Sequence, residues 1–175
     1  MKTTLILFSG LPGTGKTMLA CQVASHLRIP LLRIDDLVAF IPLSMQQHAD
    51  PFWETMVGIL LNLAEAQLQI GVSVVIDSVF MGEDRLTAQQ IAARWQAEFR
   101  PIHTYVSDEA IWRRRVEARS ASASPEDGVA TWESIQEQRK WFAPWQPGSA
   151  LFVDGTDSVE GNLAKVLEYV GNETS

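Results

Sequence analysis

LILFSGLPGTGKTMLACQV, residues Leu5 to Val23, sets an apolar run against a glycine-rich turn and then a helix-like segment. The turn, Gly10-Leu11-Pro12-Gly13-Thr14-Gly15-Lys16-Thr17, is a full match to G-x-x-x-x-G-K-[ST]. Gly10, Gly13 and Gly15 let backbone N–H groups turn inward around an anion, and the following helix adds the positive end of its dipole. Thr3–Phe8 reads as a buried strand and Lys16–Leu27 as a helix, the context the motif requires. The loop from Gly10 to Met18, with Leu11, Pro12 and Thr14 between its glycines, is therefore expected to cradle the phosphates of ATP. Lys16 would reach the β- and γ-phosphates, and Thr17 would place its hydroxyl on Mg²⁺.

Outward from this turn, short apolar runs recur at Thr3–Phe8, Leu31–Ile34, Val72–Ile76, Ile102–Val106 and Leu151–Val153. Longer amphipathic segments lie between them, near Phe52–Ile70, Asp84–Phe99, Asp108–Arg119, Thr131–Phe142 and Val159–Val170. The alternation predicts an α/β protein, a doubly wound parallel sheet with helices on both faces. A chain of 175 residues is expected to form one domain spanning 1–175. Ser120–Gly128, small and polar, is the most loop-like stretch, and a lid is expected over about 113–128.

The balance of charge is acidic, 21 Asp and Glu against 14 Lys and Arg, a formal −7. That weighs against wrapping a long nucleic acid, which takes many phosphate neutralisations, though a local basic site stays possible. Met56–Ile70 is apolar but carries Asn62, Glu65, Gln67 and Gln69 and falls short of a bilayer span, so it predicts a core helix and no membrane association. Met1-Lys2 leads straight into the first strand, which predicts no secretory signal and a cytoplasmic protein. The single Cys21 cannot form an internal disulfide and is expected to be a small buried residue of the first helix.

In an open α/β sheet, ligands bind at the carboxyl ends of the strands. The residues there are the phosphate loop, Asp35-Asp36, Asp77-Ser78, Ser107-Asp108 and Asp154-Gly155-Thr156. Acids around a phosphate site suit metal binding or proton transfer. Asp35, ahead of Asp36, is the expected general base for a hydroxyl attacking the γ-phosphate, and one of the two is also expected to cap the helix that DDLVAF begins. Asp77, closing the apolar VSVVID, is placed to hold Mg²⁺ or its waters, although a strand-end Asp also starts turns. In WRRRVEAR, Arg115 and Arg119 lie one turn apart and face the loose segment, as lid arginines would, while Arg113 and Arg114 are expected to be solvated or salt-bridged. The six tryptophans are expected in packing roles except Trp53, which follows Asp35. His26, His48 and His103 show no metal-ligand spacing, and His48 is a minor candidate for the acceptor pocket.

GLPGTGKT, LRIDD, VVIDSVF, RRRVEAR and TWESIQEQRKWF, in this order, resemble the small P-loop kinases. That group includes the predicted AAA-type kinases, the kinase domain of polynucleotide kinase and chloramphenicol phosphotransferase. The resemblance implies a strand order 2-3-1-4-5, a general base at Asp35, lid arginines at Arg115 and Arg119, and adenine contacts near Gly155 and Thr156. Val38 stands where polynucleotide kinases tend to place an arginine, a departure that points away from nucleic-acid ends. The expected function is ATP- and Mg²⁺-dependent phosphoryl transfer to a hydroxyl of a small, partly apolar acceptor, held by Leu37, Phe40, Ile41, Leu43, Met45, Phe52, Trp53 and Met56. The alternatives are a nucleotide-dependent switch or ATPase without an acceptor, and a toxin-type or polynucleotide 5′-hydroxyl kinase.

Overall fold

A computed structural model describes residues 2–42, 49–123 and 129–171. Its centre is β1 (Thr4–Ser9), in which all six residues are buried. Such a strand needs neighbours on both edges and helices on both faces. The sheet supplies them in the order β2-β3-β1-β4-β5, with β2 (Leu31–Arg33), β3 (Val74–Asp77), β4 (Glu98–Tyr105) and β5 (Leu151–Asp154). Every pairing is parallel: Leu5 aligns with Val74, Phe8 with Asp77, and Ser9 with His103. The order matches the sequence-based expectation, as does the α/β class.

Alternate residues of β1 divide the core. Leu5 and Leu7 pack with α3 (Ala49–Gln69) and α4 (Gly82–Arg94), through Leu60, Ala64, Ala88 and Ile91. Ile6 and Phe8 face the opposite way, onto Leu19, Val23 and Ala24 of α1 (Lys16–Leu27) and Val166 of α7 (Val159–Gly171). A third, small cluster joins Leu11 of the glycine-rich turn to Trp112 and Val116 of α5 (Glu109–Ser122) and Ile135 of α6 (Trp132–Trp141). Each large side chain buried in it contributes roughly 2 kcal/mol, so the turn is anchored by apolar contact and not only by its backbone.

Three local expectations are corrected. The helix expected through Phe99 ends at Arg94, because Gln96 adopts φ 54° and Glu98 N–H then donates to Thr3 O at 2.8 Å, opening β4 four residues early. Ile34 begins α2 (Ile34–Val38) rather than ending β2, with Arg33 in the capping position; neither Asp35 nor Asp36 caps it, both lying in its first turn. Cys21 is exposed, since α1 buries Leu19, Ala20, Val23 and Ala24 and turns residue 21 outward. Among the described residues no helix is long and apolar enough to cross a membrane.

Candidate active site

The glycine-rich turn meets α1 at Gly15, φ 90°, and no side chain caps the helix. Its first N–H groups are therefore left for an outside acceptor, which the helix dipole biases toward an anion. Two glycines are there for space. A Cβ on Gly10 would stand 2.4 Å from Thr104 O, and one on Gly13 would stand 2.6 Å from Val116 Cγ2. The turn is tied from several sides: Thr14 Oγ1 donates to Leu11 O and lies 2.8 Å from Thr104 Oγ1, and Trp112 Nε1 donates to Pro12 O at 2.9 Å.

Lys16 Nζ lies 3.0 Å from Asp77 Oδ1, and their side chains are 12 % and 2 % exposed. Ammonium and carboxylate compensate each other's burial, as a buried charge requires. The contact is ionic in distance, yet Oδ1 receives no well-directed hydrogen bond. A buried carboxylate oxygen held by the ammonium charge without a directed hydrogen bond suits a hard cation, and Thr17 lines the same cavity. Thr17 and Asp77 thus fit Mg²⁺, which binds through one or two protein oxygens plus substrate phosphates and needs no larger cage. Among the described residues no cluster of three or more His, Cys, Asp or Glu offers a metal site of another kind.

The turn opens into a cavity of about 1770 Å³. That exceeds the roughly 300–1,000 Å³ of a pocket for one small ligand. One half is bounded by α5 and the turn after β5: Arg115, Arg119, Gly155, Asp157 and Asn162 line it, and Arg115 Nη1 donates to Gly155 O at 2.9 Å. In the other half stand Asp35, Val38, Phe40 and Ile41 from α2 and its exit, Trp53, Glu54 and Val57 from α3, and Phe80, Met81 and Asp84 at the start of α4. Val129, Ala130, Gln138 and Trp141 complete the lining.

Of the residues singled out from sequence, Leu11 to Met18, Asp35, Asp77, Arg115, Arg119 and Gly155 line this one cavity. Gly10 and Thr156 do not; Thr156 N–H donates to Asp154 Oδ1. Burial alone would raise the Asp154 carboxyl, but donors from Ser107 and Thr156 together hold it below the usual carboxylate range. Asp36 is drawn away into an ion pair with Arg33, Nε to Oδ2 2.8 Å. Arg113 pairs with Glu117, as expected of a solvated face. Leu37, Phe52 and Met56, expected in the acceptor wall, turn into the core instead. Leu43, Met45, His48 and the 124–128 part of the expected lid lie outside the described residues. Sequence reasoning missed Glu54, Asp84, Trp141 and Asn162.

A model of the AAA domain family matches residues 5–145. Among solved structures, a gluconokinase from Sinorhizobium meliloti 1021 is similar, with TM-score 0.73 and 14% identity, covering 95% of this chain and 91% of that one. The APS kinase CysC of Mycobacterium tuberculosis, in complex with AMPPNP and APS, gives 0.67 and 17%, covering 98% and 99%. Chaetomium thermophilum Kti12, in complex with ADP-AlF3, gives 0.72 and 17%, covering 96% and 100%. At these identities the likeness is one of fold. No curated protein matches the sequence.

Proposed function

The chain belongs to the AAA domain family and has the fold of P-loop kinases, and on that premise we propose that it is an ATP- and Mg²⁺-dependent phosphotransferase acting on a hydroxyl of a small acceptor. The observation that carries this reading is one cavity, too large for a nucleotide alone, with the phosphate loop and the Lys16–Asp77 pair on its floor and Asp35 in its wall. ATP lies along the loop, with its base on the side where Gly155 lines the cavity. The acceptor occupies the half walled by α2, α3 and α4.

In the reaction the acceptor oxygen forms a new bond to the γ-phosphorus while the bond to the β–γ bridging oxygen breaks, leaving ADP. Asp35 takes the hydroxyl proton. Lys16 and the loop amides hold the phosphate oxygens, and Arg119 places a cation beside the transferring group, which Arg115 joins only by releasing Gly155 O. Thr17 and Asp77 would hold Mg²⁺, which when bound would supply neutralisation of phosphate charge.

Thermal unfolding with Mg-ATP, and transfer of label from γ-labelled ATP to a mixture of alcohols, test the reading. Wild-type protein gains about 3 kcal/mol at a hundredfold excess over Kd, and Lys16→Ala gains almost nothing. Labelled phosphate appears on an alcohol. Release of inorganic phosphate at a rate no alcohol changes would establish an ATPase instead.

A further inference from the structure

From Ile34 to Asp84 the sequence contains no lysine or arginine, and carries eight carboxylates. This stretch supplies α2, α3, β3 and the first turn of α4, which wall the acceptor half of the cavity. The cations that line the cavity, Lys16, Arg115 and Arg119, all come from the phosphate loop and α5. Asp36 is neutralised by Arg33 and Glu65 by Arg94, both away from the cavity. Asp77 is matched by Lys16. What remains in the acceptor half is Asp35, Glu54 and Asp84, facing the same space as exposed Phe40 and Trp53.

We propose that the acceptor is an alcohol that also carries a positively charged amine, its ammonium held by Glu54 and Asp84 and its hydroxyl directed to Asp35. The inference rests on the phosphotransferase reading and names the substrate class for it. The cavity and its phosphate loop mark the site; the carboxylates set the charge of what enters. Glu54 has no ionic partner among the described residues, and the only hydrogen bond to the Asp84 carboxylate within them comes from Met81 N–H, at 3.2 Å. Burial raises the Asp84 carboxyl, against the pull of Met81 N–H and Arg85, and an entering ammonium would relieve that. The faces of Trp53 and Phe40 attract a cation as well. An anionic acceptor would share its half of the cavity with three carboxylates, and Arg85, the arginine beside Asp84, is buried over Phe142 and Trp145 rather than lining the cavity, so the local charge disfavours an anion.

The test compares acceptors that carry, lack or reverse the positive charge. An aminocyclitol glycoside, an aromatic amino alcohol, the N-acetyl form of each, and a sugar acid are offered with γ-labelled Mg-ATP. Label should pass to the free amines with kcat/KM at least about 10-fold above their N-acetyl forms, and least to the sugar acid. Glu54→Gln and Asp84→Asn should raise KM for the amines about 5- to 10-fold with kcat within about two-fold, and leave the N-acetyl forms unaffected. Asparagine keeps an acceptor for Met81 N–H, so a normal Mg-ATP thermal shift verifies the fold. Equal or better transfer to N-acetyl or acidic acceptors overturns the amine inference while the phosphotransferase reading stands. No labelled alcohol in any mixture overturns both.

Discussion

Asp35 and Asp36 are adjacent, chemically identical and set in different surroundings. Asp36 is clamped by the Arg33 guanidinium, whereas Asp35 lines the cavity. A base must be open to the hydroxyl it deprotonates, so one peptide step separates the proposed base from a surface ion pair. Asp35→Asn should lower kcat about 100-fold or more while nucleotide affinity changes by no more than a few-fold, because proton transfer is felt in the transition state. Asp36→Asn should change kcat less than about two-fold, losing only an exposed ion pair. Steady-state kinetics with a fixed acceptor, together with a nucleotide titration, measures both. If the two variants exchange behaviour, Asp36 is the base; if neither slows the reaction, the hydroxyl needs no carboxylate here.

At the scale of elements, α5 braces the phosphate loop. Trp112 donates to Pro12 O while Val116 lies against Gly13, so the loop's shape depends on a helix a hundred residues away. Trp112→Phe retains an aromatic ring in the small cluster with Leu11 and Ile135 but removes the hydrogen bond. It should cost about 1 kcal/mol in urea unfolding and weaken Mg-nucleotide binding several-fold, since the loop amides lose part of their preorganisation. Unchanged nucleotide affinity with lowered stability would make the contact purely structural. None of this coupling could be read in the sequence, where WRRRVEAR shows only a charged helix. The β1–loop–α1 unit was legible because its turn admits few residue types, and the parallel order followed from alternating apolar runs. The start of β4 was hidden, because Gln96, the residue that reverses the chain, is of a type that seldom takes positive φ. Leu37, Phe52 and Met56 looked like pocket wall because apolarity alone does not say which way a helix stripe faces. Glu54 and Asp84 line one cavity from two helices, thirty residues apart in the sequence. Their trace in the sequence was the 51-residue stretch without a lysine or arginine.

Across the whole molecule, a polar cluster beneath β1 and β4 joins the sheet to the segment that leaves α6. Trp145 Nε1 donates to Ser9 Oγ at 2.7 Å, and Arg85 Nε donates to Phe80 O at 2.9 Å. The Arg85 guanidinium lies over the rings of Trp145 and Phe142, 4.8 and 5.4 Å from their centroids. His103, buried beside them, stacks on Phe142 and meets Phe152 edge-on. Burial first, and the nearby Arg85 charge second, push its imidazole down to about 4 from the ordinary 6.5. The unfolded chain therefore binds this proton at a higher pH than the folded one. The neutral ring's contribution is fully present above about pH 6.5 and is lost progressively as pH falls toward 4, up to about 3 kcal/mol in all. His103→Phe keeps an aromatic ring against Phe142 and removes the titration. Urea unfolding of both proteins from pH 7.5 to pH 4.5 should show wild type losing about 2 kcal/mol more than the variant, since carboxylate effects are common to the two. Parallel pH curves would mean that His103 takes up its proton in the folded state as easily as in the unfolded one, and that Arg85 does not hold it neutral.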